Sequence, residues 1–239
     1  MAEALLQVSG VSKHFGGFTA LADVSLAIAE GERFGLIGPN GSGKTTLINC
    51  VSGSLRNESG SIIFNGEEVS RLPAYMRTRR GIARSFQIPR PFYSMSVLEN
   101  LLVPTAYVAH LKDADAEAQA LDILRRIGLA EKARAPANRL SQVELRKLEL
   151  ARAMAARPKL LISDETMAGL SGAEVDEMLG ILFKLNEAGI TIIMIEHIMQ
   201  AVMRFSQRVV CLDAGRIICE GTPAAVVQNA DVQKAYLGA

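Results

Sequence analysis

The chain is short of several things, and each shortage excludes something. It has three cysteines, Cys50, Cys211 and Cys219, an odd number without metal-like spacing. Neither a disulfide framework nor a zinc site organises it, and the three read as small core residues of a reducing compartment. It has almost no net charge: 26 Lys and Arg against 25 Asp and Glu give +1, so no global field points to nucleic acid or to an anionic membrane. The local run Arg77, Arg79, Arg80 and Arg84 reads as a solvated face or contact patch rather than a DNA groove. No charge-free apolar run reaches the roughly 20 residues of a membrane span. The richest, residues 189–195, ends at Glu196 and His197 and suits a strand buried on both faces. Glu3 and the lack of an apolar block after a basic start argue against a signal peptide. Internal repeats, low-complexity tracts and long linkers are missing too. What remains, 239 residues at 49% hydrophobic, is expected to be one large α/β domain, soluble and cytoplasmic, with more sticky surface than an isolated enzyme needs.

The pattern along the chain supports that reading. Residues 5–8, 24–28, 33–37 and 61–64 have strand character, the last closed by the turn Asn65-Gly66. Pro89 and Pro91 break the pattern after Gln87, and helical periodicity follows. Ser96 caps a helix from Val97, residues 115–127 are amphipathic, and Ser141 with Glu144 forms a capping box for a helix reaching Ala156. Buried-strand grammar returns at 160–162, 190–195 and 208–212, alternating with helices at 171–187 and 198–205. The expected fold is α/β: a mainly parallel sheet with helices, antiparallel N-terminal strands, and a helical insert at 88–157 splitting a core made of 1–87 and 158–239.

Chemistry enters at one stretch. Gly38, Pro39, Asn40, Gly41, Ser42, Gly43, Lys44, Thr45 and Thr46 follow an apolar strand and open a helix, the context a phosphate-binding G-x-x-x-x-G-K-[ST] loop requires. Glycines let successive amides converge on one anion, Lys44 supplies a point charge for the β- and γ-phosphates, and the Thr45 hydroxyl can ligate Mg²⁺. The helix behind points its positive end at the phosphates. The expected ligand is a nucleoside triphosphate. Residues 160–165 form an apolar strand ending in Asp164 and Glu165. The first can hold the Mg²⁺ shell and the second can orient or deprotonate water. His197, 32 residues after Glu165, ends the next buried strand and is a candidate γ-phosphate contact. Gln87 could sense the γ-phosphate or a Mg²⁺-bound water, and Phe15 could stack on adenine. Alone, either would be unremarkable.

In this order, Phe15, the phosphate loop, Gln87, Leu140-Ser141, Asp164-Glu165 and His197 resemble the aromatic loop, Walker A, Q-loop, signature, Walker B and switch histidine of an ABC ATPase, over about residues 5–228. Residues 15–17, 96–100, 148–153, 167–170 and 196–199 further resemble the ATP-binding subunits of branched-chain amino-acid importers. The resemblance implies a P-loop ATPase motor bound to the inner face of a cell membrane. Two such subunits would close head to tail around two ATP molecules, each held by one subunit's Walker A and the other's Ser141 region. Two integral membrane permease subunits would dock near Gln87 to Asn100, where residues 88–93 are apolar and proline-bearing. An extracellular or periplasmic solute-binding protein would act indirectly, with no role for nucleic acid.

The resemblance has departures. The signature reads Leu140, Ser141, Gln142, Val143, Glu144, with valine at the second glycine, where backbone approaches the opposite subunit's γ-phosphate. Valine adds bulk and restricts the backbone there, so one composite site is expected to be weak and an asymmetric heterodimer is expected. Ser171 stands where Asp is usual, and Ser163 puts a hydroxyl in an apolar strand that will need a partner. Two competing readings are a non-transport cytosolic ABC ATPase, for example in cofactor assembly, and a small-molecule kinase. The Ser141-capped helix followed by Asp164-Glu165 and His197 argues against the kinase.

Overall fold

Successive residues of one central strand serve two different cores. Ile192 and Met194 face one, Ile193 and Ile195 the other, as a strand covered on both faces requires. The structure, a computed structural model, describes residues 4–86, 88–111 and 113–237. The elements in chain order are β1 (Ala4–Phe15), β2 (Phe18–Ala29), β3 (Arg33–Ile37), α1 (Lys44–Ser52), β4 (Ser59–Phe64), β5 (Glu67–Glu68), α2 (Ala74–Arg79) and β6 (Ile82–Ser85). A helical stretch follows: α3 (Val97–Tyr107), α4 (Asp113–Arg126), two short 3-10 turns, and α5 (Gln142–Ala155). The chain then runs β7 (Leu160–Asp164), α6 (Gly172–Glu187), β8 (Thr191–Ile195), α7 (Met199–Phe205), β9 (Arg208–Asp213), β10 (Arg216–Gly221), α8 (Pro223–Gln228) and α9 (Ala230–Leu237).

Six strands form one sheet in the order β10-β9-β3-β8-β7-β6. Its inner pairs are parallel, and β10 closes one edge antiparallel to β9. The other sheet, β2-β1-β4-β5, is antiparallel. Between the sheets and around α1 lies one core, with Phe34, Leu36, Ile162 and Val210. On the opposite face the helices α3 to α7 enclose a second, with Leu124, Leu148, Leu161 and Phe205. Because β3, β8 and β7 are adjacent and parallel, whatever follows their carboxyl ends meets at one edge of the sheet. Those residues are the loop after Ile37, His197 after β8, and Glu165 after β7.

Arg77 corrects the expectation of a solvated basic face. Its side chain is buried, 1% exposed, and its guanidinium donates to the carbonyls of Leu72, Ser70, Cys50 and Val51 at 2.6–3.0 Å. Two of these carbonyls belong to the last turn of α1, so Arg77 satisfies groups the helix leaves open and opposes its negative end. Arg77→Met removes four donors from buried acceptors. It is expected to lower unfolding stability by about 2–4 kcal/mol. Urea unfolding read by circular dichroism checks this, and an unchanged midpoint would mean that water serves those carbonyls equally well.

Candidate functional site

The loop from Gly38 to Gly43 leaves β3 and turns into α1. Two of its glycines are sterically required. Gly38 has φ +147°, and a Cβ there would lie 2.1 Å from the Leu212 carbonyl oxygen. Gly43 has φ +107°, and its Cβ would meet the Ala20 carbonyl oxygen at 2.6 Å. No L-residue with a side chain fits either position. The loop is braced from the side, since the Gly215 N–H donates to the Ser42 carbonyl and the Ala22 N–H to that of Gly215, both at 2.9 Å. Gly43 provides no side-chain cap to α1, so the first-turn amides keep their capacity for an external acceptor.

Lys44, the first residue of α1, is 6% exposed. Its Nζ donates to the carbonyls of Gly38 at 2.7 Å and Pro39 at 3.0 Å. Burial pulls its pKa below the ordinary lysine value, opposed by the negative charge of Glu165 and, less strongly, of Asp164. The ammonium is thus held inside the loop, within the field of two carboxylates. The Ser42 Oγ is buried with no hydrogen-bond partner among the described residues, an acceptor and donor turned into the same loop.

A cleft of about 230 Å³ opens over this loop, lined by residues 40–46, Ala20, Phe15, Phe18, Glu165 and His197. The two phenylalanines face each other across the β1-β2 hairpin, around the turn Gly16-Gly17. Both are exposed, at 50% and 61%, and the Lys13 ammonium sits 5.4 Å from the Phe15 ring centre. Two solvent-facing aromatic rings at the mouth of this cleft suit a stacked base. The sequence points to Phe15. Phe18 emerges only once the hairpin register is known.

Glu165 adopts φ +48°, a left-handed conformation uncommon outside glycine and concentrated at functional positions. Its N–H donates to the Ile195 carbonyl at 2.8 Å, and its Oε1 lies 2.8 Å from the His197 Nε2. The carboxylate therefore reaches the cleft already oriented by the residue after the neighbouring strand. Asp164, one position earlier, ends β7 with 7% exposure. Its Oδ2 accepts from Arg84 Nη2 at 2.5 Å and Nε at 3.2 Å, and Arg84 Nη1 donates to the Asn49 Oδ1 of α1 at 2.7 Å. Arg84, expected as surface, instead ties the acidic strand end to the helix behind the loop.

The donor set suits a hard cation. Thr45 offers an exposed hydroxyl at the start of α1, and both Arg84 contacts fall on Oδ2 of Asp164, leaving Oδ1 outside them. No group of three or more His, Cys, Asp or Glu side chains among the described residues forms a metal cage. That fits Mg²⁺, which commonly takes one or two protein oxygens and completes its shell with phosphate and water.

The remaining expected residues fall elsewhere. Gln87 lies outside the described residues. Ser141 N-caps α5 in a capping box: its N–H donates to Glu144 Oε2 at 2.9 Å, and its Oγ accepts from the Glu144 N–H at 3.4 Å. It does not line the cleft over the loop of its own chain. Val143 occupies the first turn of α5 with an ordinary helical backbone, half-buried and without positive φ. The expected backbone restriction is therefore not at issue there, and only its bulk remains. Ser171 N-caps α6 through the same kind of box with Glu174. Ser163 finds its partner in the Thr166 Oγ1 at 3.0 Å. That hydroxyl continues to Glu196, which is 2% exposed and accepts from the Met167 N–H at 2.9 Å. Burial pushes the Glu196 carboxyl up to about 7, partly offset by the Met167 N–H, and the Glu165 charge pushes the same way as burial. This buried chain joins the segment after β7 to the segment after β8.

Comparison with known proteins adds a family. Residues 21–168 match the family described as ABC transporter, and residues 216–239 match that described as Branched-chain amino acid ATP-binding cassette transporter. The chain is 38% identical to the high-affinity branched-chain amino acid transport ATP-binding protein BraF of Pseudomonas aeruginosa, over 100% of this chain and 99% of that protein. It is 38% identical, with the same coverage, to the corresponding LivG protein of Escherichia coli K12. Among solved structures it is similar to an ATP-binding cassette of an ABC transporter in its ADP conformation, with TM-score 0.91, 30% identity and 100% coverage of both chains. It is also similar to a dimeric cassette in a post-hydrolysis state bound to ADP and Pi, with TM-score 0.82, 25% identity and coverage of 91% and 98%.

Proposed function

This chain belongs to the ABC transporter ATP-binding proteins, and from that membership we propose that it is the ATP-hydrolysing motor subunit of an importer for branched-chain amino acids or related small polar or amide solutes. The observation carrying the ATPase reading is the convergence of Lys44, Glu165 and His197 on one cleft beneath the Phe15-Phe18 hairpin. Full-length similarity to branched-chain amino acid transport ATP-binding proteins supports the importer reading. In this proposal residues 88–157 are a helical subdomain set into a core of 1–87 and 158–239.

ATP enters with its base against Phe15 and Phe18 and its phosphates over the first turn of α1. Lys44 moves its ammonium from the Gly38 and Pro39 carbonyls toward the β- and γ-phosphates, exchanging neutral acceptors for charged ones. Glu165 orients a water and takes its proton as the water attacks the γ-phosphorus in line with the leaving oxygen. His197 holds that carboxylate in place and reaches the γ-phosphate. Thr45 and Asp164 would hold Mg²⁺, and a cation there would neutralise developing charge on the phosphates. Ser141 serves the ATP held by a partner subunit.

The docking surface in this reading is a second cleft, about 400 Å³, lined by Phe86, Phe92, Val103, Pro104, Tyr107 and Arg152 among others. Ile88, Phe92, Tyr93 and Tyr107 are exposed beside or within it, at 42–71%. Exposed large apolar side chains of this kind suit an interaction site, and a helix of a membrane permease is the proposed occupant. No helix among the described residues is long and apolar enough to cross a membrane, so attachment at the cytoplasmic face would be peripheral. Affinity capture of this chain from native membranes is expected to bring down two integral membrane proteins and a second ATP-binding subunit. Capture without any membrane protein would count against the importer.

Val143 sets the expected asymmetry. Its side chain adds bulk in the first turn of α5, where the proposed partner ATP meets Ser141, and a hydrogen bond lost to that bulk costs about 1–3 kcal/mol. The chain's own Lys44, Asp164, Glu165 and His197 are untouched by this and pair with a partner's signature. Val143→Gly is expected to raise ATP turnover of the isolated chain severalfold, measured by phosphate release. Brisk wild-type turnover that the substitution leaves unchanged would remove the argument for a heterodimer.

A further inference from the structure

The C-terminal helix reaches back to the start of the phosphate loop. Pairing of β3 with β9 ends at Ile37 opposite Cys211, so the N–H of Gly38 lies just past the ladder and needs another acceptor. The Tyr236 hydroxyl supplies it, accepting from Gly38 N at 2.8 Å across 198 positions of sequence. Tyr236 is in α9, which Val232, 3% exposed, anchors into the helical-side core. Tyr236 is 42% exposed; partial burial raises its phenol pKa, with the Gly38 N–H opposing, so the group stays a neutral hydroxyl. The carbonyl of the same Gly38 accepts from Lys44 Nζ at 2.7 Å. One residue is therefore gripped at both polar groups, by the C-terminal helix at its N–H and by the phosphate-binding lysine at its C=O. Gly38 has no side chain with which to hold itself, and at φ +147° its conformation is set by these outside contacts.

We propose that Tyr236 is a positioning residue for the nucleotide site: its hydroxyl fixes Gly38 and, through the Gly38 carbonyl, the resting place of Lys44, coupling the C-terminal helix to nucleotide binding. This rests on the reading of the loop as the ATP site. Coupling of this kind is reciprocal, so nucleotide in the loop must also alter the stability of α9.

The test uses the full-length protein. Tyr236→Phe keeps the ring and removes only the acceptor. Titration with a fluorescent ATP analogue and Mg²⁺ is expected to show affinity weakened about three- to tenfold, the loss of one hydrogen bond. Amide exchange in a peptide spanning residues 36–44 is expected to accelerate, while the far-ultraviolet spectrum stays that of the wild type. In the wild-type protein, saturating Mg-ATP is expected to change amide exchange in residues 230–237 at least twofold, and this arm stands even where Tyr236→Phe does not fold. Wild-type affinity in the variant together with unchanged exchange in both segments overturns the proposal and leaves Tyr236 as helix packing. Lys44→Ala measured in the same titration separates the two readings. If it too binds normally, the loop is not the nucleotide site; if it loses binding while Tyr236→Phe keeps wild-type affinity and exchange is unchanged in both segments, only the positioning role fails.

Discussion

Lys44→Ala should lose about a hundredfold or more in Mg-ATP affinity while keeping its fold. Lys44 is the side-chain cation that the loop directs into the cleft, and its Nζ already lies against the loop's own carbonyls. Bound phosphate would replace those neutral acceptors with charged oxygens, and a hydrogen bond to a charged group contributes about 1.5–3 kcal/mol. Two such contacts amount to roughly 3–6 kcal/mol, and each 1.4 kcal/mol is a factor of ten. The stability side is small by comparison. The ammonium is buried and its burial opposes its charge, so its removal relieves desolvation at the same time as it frees two carbonyls. Titration with a fluorescent ATP analogue, beside a thermal melt, reads both quantities. Unchanged affinity would take the loop out of the site, whatever the family.

Much of the site was legible because its residues follow a spacing that local backbone geometry imposes. Gly38, Gly43 and Lys44 must stand where they do if a strand is to turn into a helix around an anion. Asp164 and Glu165 end one apolar run and His197 follows another, which suffices to bring them to one sheet edge once the strands are parallel. Capping boxes at Ser96, Ser141 and Ser171 are likewise local. What escaped depends on tertiary pairing. Phe18 needs the β1-β2 register, Arg84 finds Asp164 80 positions away, and Tyr236 finds Gly38 at 198.

The same division explains the fold. Residues 160–162 and 190–195 announce buried strands by continuous apolar character. β10, by contrast, is an edge strand with Ile217, Ile218 and Cys219 only half-buried, and α2, α8 and α9 are six to eight residues long. Such elements are made by the surface they pack on, and a sequence window does not contain that surface. Arg77 is the sharpest case. A basic run reads as solvated because isolated arginines usually are, yet this one is buried against open carbonyls of the last turn of α1.

Glu165→Gln should separate ATP binding from hydrolysis. The amide keeps the size of the carboxylate and can still accept from His197 Nε2, which lies 2.8 Å from Oε1 in the native protein. The left-handed backbone at φ +48° is also retained, since the N–H bond to the Ile195 carbonyl does not involve the side chain. What is lost is the negative charge, which also acts on Lys44 and Glu196, and with it the ability to take a proton from the attacking water. General-base catalysis is typically worth 10²–10⁴-fold, so turnover should fall by about that factor while Mg-ATP affinity holds within about threefold. With its partner subunit present, the variant should then accumulate as an ATP-dependent closed dimer, because the step that reopens the pair has been removed. Phosphate release measures the first effect, and size-exclusion chromatography with and without Mg-ATP measures the second. Near-normal turnover would show that another group activates water. Lost turnover without any ATP-dependent shift in size would instead place Glu165 upstream, in assembling the site, because a pure base cannot be needed for closure. The two readouts together therefore distinguish a residue that moves a proton from one that merely braces His197.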